Sequence, residues 1–152
     1  MKYYIIAGEA SGDLYGSKLI DEIFSVDAKA NIRFWGGDNM IKSGGHNVKH
    51  IKELAFMGFF EVLKNIKTII SNISFCKNDI KEFNPDKIIY IDYPGFNLKI
   101  CKWAKNNGYK NYYYISPQIW AWKENRIKTI KNNIDKLYVI FPFEKEYYQE
   151  KH

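Results

Sequence analysis

Short apolar runs alternate along the chain with stretches whose apolar residues recur every three or four positions. Tyr3-Tyr4-Ile5-Ile6 reads as a buried strand, and Leu14 to Phe24 carries a helical period. Asn31 to Gly36 reads as a second strand, Asp38 to Ser43 as a short helix capped by Gly44-Gly45, and Asn47 to Ile51 as a short strand. Gly58 to Phe83 is the longest helical stretch, with spacings of three and four dominating its apolar positions. Asn84-Pro85-Asp86 breaks it. Lys87-Ile88-Ile89-Tyr90-Ile91 is a near-continuous apolar run, the mark of a strand buried on both faces of a parallel sheet. A helix over Leu98 to Asn106, a strand over Asn111 to Ile115 and a basic helix over Lys123 to Asn132 follow. Asp135 to Ile140 is the last strand, and Phe141-Pro142-Phe143-Glu144 turns into a final helix. Strands and helices alternate throughout, which predicts an α/β fold with a Rossmann-like, doubly wound parallel sheet.

Composition narrows the class. A chain of 152 residues is one domain or one half of a two-domain protein. Its 46% hydrophobic and 17% aromatic content belongs to a folded protein and excludes a disordered one. A net charge of +6 favours acidic partners such as phosphates and anionic lipid. The basic residues fall in no nucleic-acid-binding motif, so no nucleic-acid partner is expected. Cys76 and Cys101 form no CxxC pair and read as free thiols in a reducing compartment. With no signal-peptide pattern and no run of 18 apolar residues, the expected location is cytoplasmic, with attachment to a membrane surface left open. His46, His50 and His152 show no metal-ligand spacing, and no metal or other cofactor is expected.

Three stretches carry candidate chemistry. Ala7-Gly8-Glu9-Ala10-Ser11-Gly12-Asp13 joins the first strand to the first helix but fits neither G-x-G-x-x-G nor G-x-x-x-x-G-K-[ST]. Ser11 and Asp13 are favourable cap residues, and amides exposed at a helix start suit an anion or a sugar hydroxyl. A plain capped strand-to-helix turn explains the same residues. Asp92 stands at the carboxyl end of the fourth strand, where ligands bind in open α/β sheets. Its other use is to cap the turn that follows. Ser116 to Trp122 is an aromatic loop at the carboxyl end of the next strand. The apolar stripe of the long helix (Phe59, Phe60, Leu63, Ile66, Ile70) is wider than one sheet contact needs and is flanked by Lys64 and Lys67. It serves either as a core face or as a surface that docks on a membrane.

Several of these segments together resemble one family. Ala7 to Asp13 is joined by Glu53-Leu54-Ala55, Met57-Gly58, Glu61-Val62-Leu63, Ile91-Asp92, Pro94 and Phe96-Asn97. Further along stand Tyr114, Ser116-Pro117, Trp120-Ala121-Trp122 and Pro142-Phe143-Glu144. In order and approximate spacing the set resembles the lipid-A-disaccharide synthases, inverting GT-B glycosyltransferases. The likeness runs along the whole chain but covers only the family's amino-terminal half. It implies the acceptor-side Rossmann-like domain over 1–152, with the carboxyl-terminal donor-binding domain absent from this chain, as a truncated or split half.

The reaction so implied moves 2,3-diacylglucosamine from its UDP derivative to 2,3-diacylglucosamine 1-phosphate with inversion, as a step of lipid A biosynthesis. Both lipids, and the surface of the inner membrane, are the expected partners. By this resemblance Asp92 is the general base, and Glu9, Ser11 and Asp13 line the floor of the acceptor cleft. Asn97 bonds a sugar hydroxyl or holds its loop. Ser116, Trp120 and Trp122 join the substrate site, where the two indoles stack on a sugar, cover acyl chains or pack in the core. Arg126, with Lys123, meets the acceptor phosphate or stays on a solvated face. The family commonly carries a second Asp before Phe-Asn, and Gly95 stands there in this chain. Membrane-anchored substrates strengthen the docking role of Phe59, Phe60, Leu63, Ile66 and Ile70. Two other readings compete: a non-catalytic lipid- or membrane-binding module, and another UDP-sugar enzyme of GT-B type.

Overall fold

In the computed structural model, which describes residues 1–54, 66–116 and 125–150, the apolar runs form six strands. These are β1 Lys2–Ala7, β2 Asn31–Gly36, β3 His46–His50, β4 Lys87–Ile91, β5 Asn111–Tyr114 and β6 Lys136–Tyr138. All neighbours are parallel, in the order β3-β2-β1-β4-β5-β6. The described helices are α1 Ala10–Val26, α2 Asp38–Ser43, α3 Ile66–Phe83, α4 Pro94–Asn106, α5 Asn125–Asn133 and α6 Pro142–Glu150, with a 3-10 turn at Ile51–Glu53. This is the Rossmann-like, doubly wound parallel sheet that the alternating pattern predicts.

Period-two alternation splits the core into two layers. From β1, Tyr4 and Ile6 face α3 and α4, where Cys76, Ile80, Ile100 and Cys101 meet them. Ile5 and Ala7 face the other way, onto Ile20 and Ile23 of α1 and Met40 of α2. Each isoleucine fully buried in this way contributes about 1.5–3 kcal/mol relative to exposure. Two polar pairs lie inside the first layer. Trp35 Nε1 donates to Tyr4 Oη at 2.9 Å, and the Tyr90 hydroxyl donates to Asn111 Oδ1 at 2.9 Å. Arg33 fixes α3 to β2 through Asp79 at 2.6 Å.

Several boundaries correct the sequence-based ones. The first helix opens at Ala10, four residues before Leu14, and Glu9 occupies its cap position without a side-chain bond, so Ser11 and Asp13 lie inside the first turn. The helix after β4 opens at Pro94, because proline suits a first helical position, where its missing N–H leaves no bond unmade. The third strand runs one residue earlier than expected, since His50 caps the 3-10 turn by accepting from Lys52 N. The last strand is cut to Lys136–Tyr138 because Glu144 Oε2 takes the amides of Ile140 and Phe141, both at 3.0 Å. The long helix is described from Ile66 onward; its predicted first turns lie outside the described residues.

Candidate active site

The chain reverses its direction of winding between β1 and β4. From β1 it passes to α1 on one face of the sheet, and from β4 to α4 on the other. Ligands in such sheets bind outside the carboxyl ends of the strands at this switch point. Register places Ala7 opposite Ile91, and Ile91 opposite Tyr114. The turns after β1, β4 and β5 therefore lie side by side, about 4.8 Å per strand step.

The first turn is held by contacts that need glycine. A Cβ on Gly8 would fall 2.3 Å from the Tyr93 ring, so the ring from the β4 turn lies flat on the backbone of the β1 turn. A Cβ on Gly12 would stand 3.2 Å from that of Ala7, which keeps α1 close to the strand end. Glu9 and Ser11 are exposed there. Asp13 is not: its carboxylate is buried and accepts from Gly37 N at 2.7 Å, Met40 N at 3.0 Å, Asn39 N at 3.0 Å and Asn39 Nδ2 at 2.8 Å. Four donors fill the acceptor sites of two oxygens. Asp13 thus shapes the site by holding the turn before α2, in place of the ligand contact expected of it.

The second turn departs from regular backbone. Asp92 and Tyr93 both adopt left-handed φ, +44° and +49°, and Ile115 at the end of β5 does the same at +64°. For a β-branched residue this is a genuine outlier. Three such residues on adjacent turns mark the place where backbone strain commonly accompanies function. The Asp92 carbonyl points inward and accepts from the Tyr113 hydroxyl at 2.5 Å and Asn97 Nδ2 at 2.8 Å. Asn97 is fully buried, so of its two expected uses the structure displays the one that holds the loop. The half-buried Asp92 carboxyl has its pKa raised by burial, against a smaller opposing effect of the Tyr93 N–H. Burial likewise pushes the Tyr93 phenol up to about 12, with the Glu9 charge adding to the effect.

At the third turn Ser116 is buried, its N–H donating to Tyr138 O at 3.1 Å. Arg126, half-buried on α5, is near enough for its charge to favour ionisation of Tyr113. Among the described residues it has no carboxylate partner. Trp120, Trp122 and Lys123 lie outside the described residues, as do Phe59, Phe60 and Leu63. Ile66 and Ile70 are 50% and 61% exposed at the start of α3, whereas Cys76, Ile80 and Phe83 further along it are buried. Among the described residues no three His, Cys, Asp or Glu side chains converge as for a metal ion. No described helix is long and apolar enough to cross a membrane.

Tyr93 and Tyr113 are the site residues that sequence reasoning missed. Tyr113 shares a strand-face parity with Asn111 and Ile115, but three consecutive tyrosines hide which of them points inward.

The family model for lipid-A-disaccharide synthetase matches residues 3–152. A lipid-A-disaccharide synthase of Trichlorobacter lovleyi is 42% identical over 146 residues, 96% of this chain and 38% of that protein. One of Coxiella burnetii is 40% identical over 146 residues, 96% of this chain and 39% of that protein. The chain therefore spans well under half the length of these curated relatives. Among solved structures, UDP-GlcNAc 2-epimerase from Neisseria meningitidis bound to UDP-GlcNAc has a TM-score of 0.68 at 10% identity, over 99% of this chain and 43% of that one. The glycotransferase of kitacinnamycin has a TM-score of 0.56 at 13% identity, over 86% and 34%. At such identities these two likenesses describe the fold alone.

Proposed function

Since the chain belongs to the lipid-A-disaccharide synthetase family, we propose that it is the acceptor-side half of a lipid-A-disaccharide synthase. In this reading it works with a donor-binding domain. The reaction joins 2,3-diacylglucosamine, carried by UDP, to 2,3-diacylglucosamine 1-phosphate. A hydroxyl of the acceptor attacks the anomeric carbon from the face opposite UDP. The new C–O bond forms as the bond to UDP breaks, UDP leaves with the electron pair, and the hydroxyl proton passes to Asp92. The observation that carries this reading is a half-buried carboxylate at the switch point, its pKa raised by burial against the smaller effect of the Tyr93 N–H. A base whose pKa is lifted toward the working pH accepts a proton more readily in the transition state.

The remaining roles are assigned from exposure and charge for the described residues and from the family likeness for the others. Glu9 and Ser11, exposed at the neighbouring turn, take acceptor hydroxyls. Arg126 meets the acceptor phosphate, for which a planar guanidinium is well suited. Ser116, Trp120 and Trp122 border the sugar or the acyl chains. Ile66 and Ile70, with Phe59, Phe60 and Leu63 of the preceding segment, dock the domain on the cytoplasmic face of the inner membrane.

A chimera tests the proposal. Residues 1–152 replace the matching segment of the Trichlorobacter lovleyi relative, and formation of the disaccharide 1-phosphate from the two lipids is followed. The folded chimera should form it, and its Asp92→Asn form should be slower by about 100-fold or more, within the usual range for loss of a general base. A chimera that unfolds cooperatively and binds both lipids yet makes no product would overturn the reading. Full turnover by Asp92→Asn would remove Asp92 as the base.

A further inference from the structure

We infer that Tyr113 is a positioning residue, which together with Asn97 clamps the main-chain carbonyl of Asp92 and so holds the Asp92 carboxylate in the crevice. The inference rests on the reading of Asp92 as the base. β4 peels away from its neighbour at this point, since the Asp92 N–H reaches Tyr114 O at only 3.4 Å. Its carbonyl has left the ladder and would be an orphaned acceptor in the interior. Two fully buried side chains from different elements replace the lost partner: Tyr113 of β5, at 2.5 Å, and Asn97 of α4, at 2.8 Å.

With the carbonyl fixed inward and φ at +44°, the carboxyl of the same residue is held half-buried at the strand end. The left-handed conformation is disfavoured for L residues, so it must be imposed by the surroundings. Tyr93 adds the third restraint, its ring closed over Gly8. Tyr113 is itself held, stacked on Tyr90 with centroids 5.7 Å apart. Its hydroxyl is therefore a donor at a fixed point, built into the sheet one strand away from the base.

The test uses Tyr113→Phe, which keeps the ring and its stacking and removes only the hydroxyl. Asn97→Ala removes the other donor. In the 152-residue chain, the Asp92 carboxyl is followed by carbon NMR against pH. The charged and titratable groups that bear on this corner are Tyr93 on the same turn, Glu9 at the start of α1, Tyr113 on β5 and Arg126 on α5, all retained in Asn97→Ala. Release of the clamp lets the carboxylate swing into water, so the Asp92 pKa should fall toward the ordinary carboxylate range in both variants. In the chimera described above, kcat should fall about 10- to 100-fold with KM within about twofold, as for a displaced catalytic group. The acid limb of the rate profile should move to lower pH.

A folded Tyr113→Phe protein with a lower Tm but an unmoved Asp92 titration and unchanged kcat would reduce Tyr113 to a packing residue and overturn the inference. Should Tyr113→Phe not fold, the Asn97→Ala titration decides by the same criterion. The two readings separate cleanly. If Asp92→Asn keeps full turnover while Tyr113→Phe still moves the titration, the base assignment fails and the clamp on Asp92 stands. If Asp92→Asn is inactive and neither clamp variant changes kcat or the titration, the base stands and the clamp fails.

Discussion

Replacing Asp13 tests how the first turn is built. Helix α2 begins after Gly37, a residue with no side chain to cap it, and its second and third amides belong to Asn39 and Met40. Both amides, and that of Gly37, are taken by the Asp13 carboxylate reaching across from α1. Asp13 is an N-cap supplied from another helix. Gly37 must lack a Cβ for this to work, because one there would fall 2.9 Å from Asp13 Cγ. A hydrogen bond to a charged group is worth about 1.5–3 kcal/mol net, and a buried amide left without a partner costs about 1–3 kcal/mol. Asp13→Ala loses every bond but lets the turn relax, so the cost should be about 3–5 kcal/mol. Asp13→Asn keeps one acceptor oxygen and points an amide donor at Asn39, for a cost of about 2–4 kcal/mol. At about 2–4 °C per kcal/mol for a domain of this size, the Asn variant should melt roughly 4–16 °C lower. Urea unfolding followed by tryptophan fluorescence measures this, with the slope unchanged if only native-state bonds are lost. Asp13→Asn within about 0.5 kcal/mol of the parent would refute the capping role, since that is the usual scatter of surface substitutions.

Further predictions concern the crevice and the acid range. Gly8→Ala should cost about 1–3 kcal/mol, because the new methyl must displace the Tyr93 ring; in a Tyr93→Ala background most of that cost should vanish, and a double-mutant cycle of urea midpoints reads the coupling. Burial disfavours ionised Asp92 in the fold, so stability should decline as pH rises from the unfolded carboxyl value through the higher folded one. Asp92→Asn should therefore raise the melting temperature at pH 7 but not at pH 3, and a lower value at pH 7 would contradict this. For Asp135, burial raises the pKa but the Lys105 ion pair and the Asn111 N–H outweigh it, leaving the folded value lowered. Its contribution is present above the unfolded value of about 3.9 and is lost as pH falls through the lower folded value, so Asp135→Asn should flatten the acid slope of the melting temperature below about pH 4.

The alternation of strand and helix was legible because each strand buried on both faces leaves an unbroken apolar run, as Lys87 to Ile91 does. Element ends were less legible, since they depend on caps donated from a distance. Nothing near position 37 announces that Asp13 caps α2, and nothing near 140 announces that Glu144 ends β6. Asp92 was found from its place after a strand. Tyr113 escaped because its use, donation to a carbonyl one strand away, is a property of register and leaves no local signature. Asn97 was recognised as important, but choosing between ligand and loop needed its burial.

The two aspartates of the crevice show what separates a structural carboxylate from a chemical one when sequence treats them alike. Both follow a strand, and both resemble family positions. Asp13 has four donors and is buried. A carboxylate so satisfied has no acceptor site left for a substrate. Around Asp92 the donors are spent differently: Tyr113 and Asn97 both serve its carbonyl, and among the described residues the carboxylate keeps the N–H of Tyr93. The fold therefore grips the backbone of this residue while under-serving its charge, which is the arrangement that lifts a carboxyl pKa without letting the group move. Adding a donor should undo it. An Asn97 variant able to reach the carboxylate, such as Asn97→Gln, would lower the Asp92 pKa if its amide transfers from carbonyl to carboxylate. A pKa that instead stays raised, with the carboxylate still fixed, would mean that burial alone sets it and that donor placement is incidental.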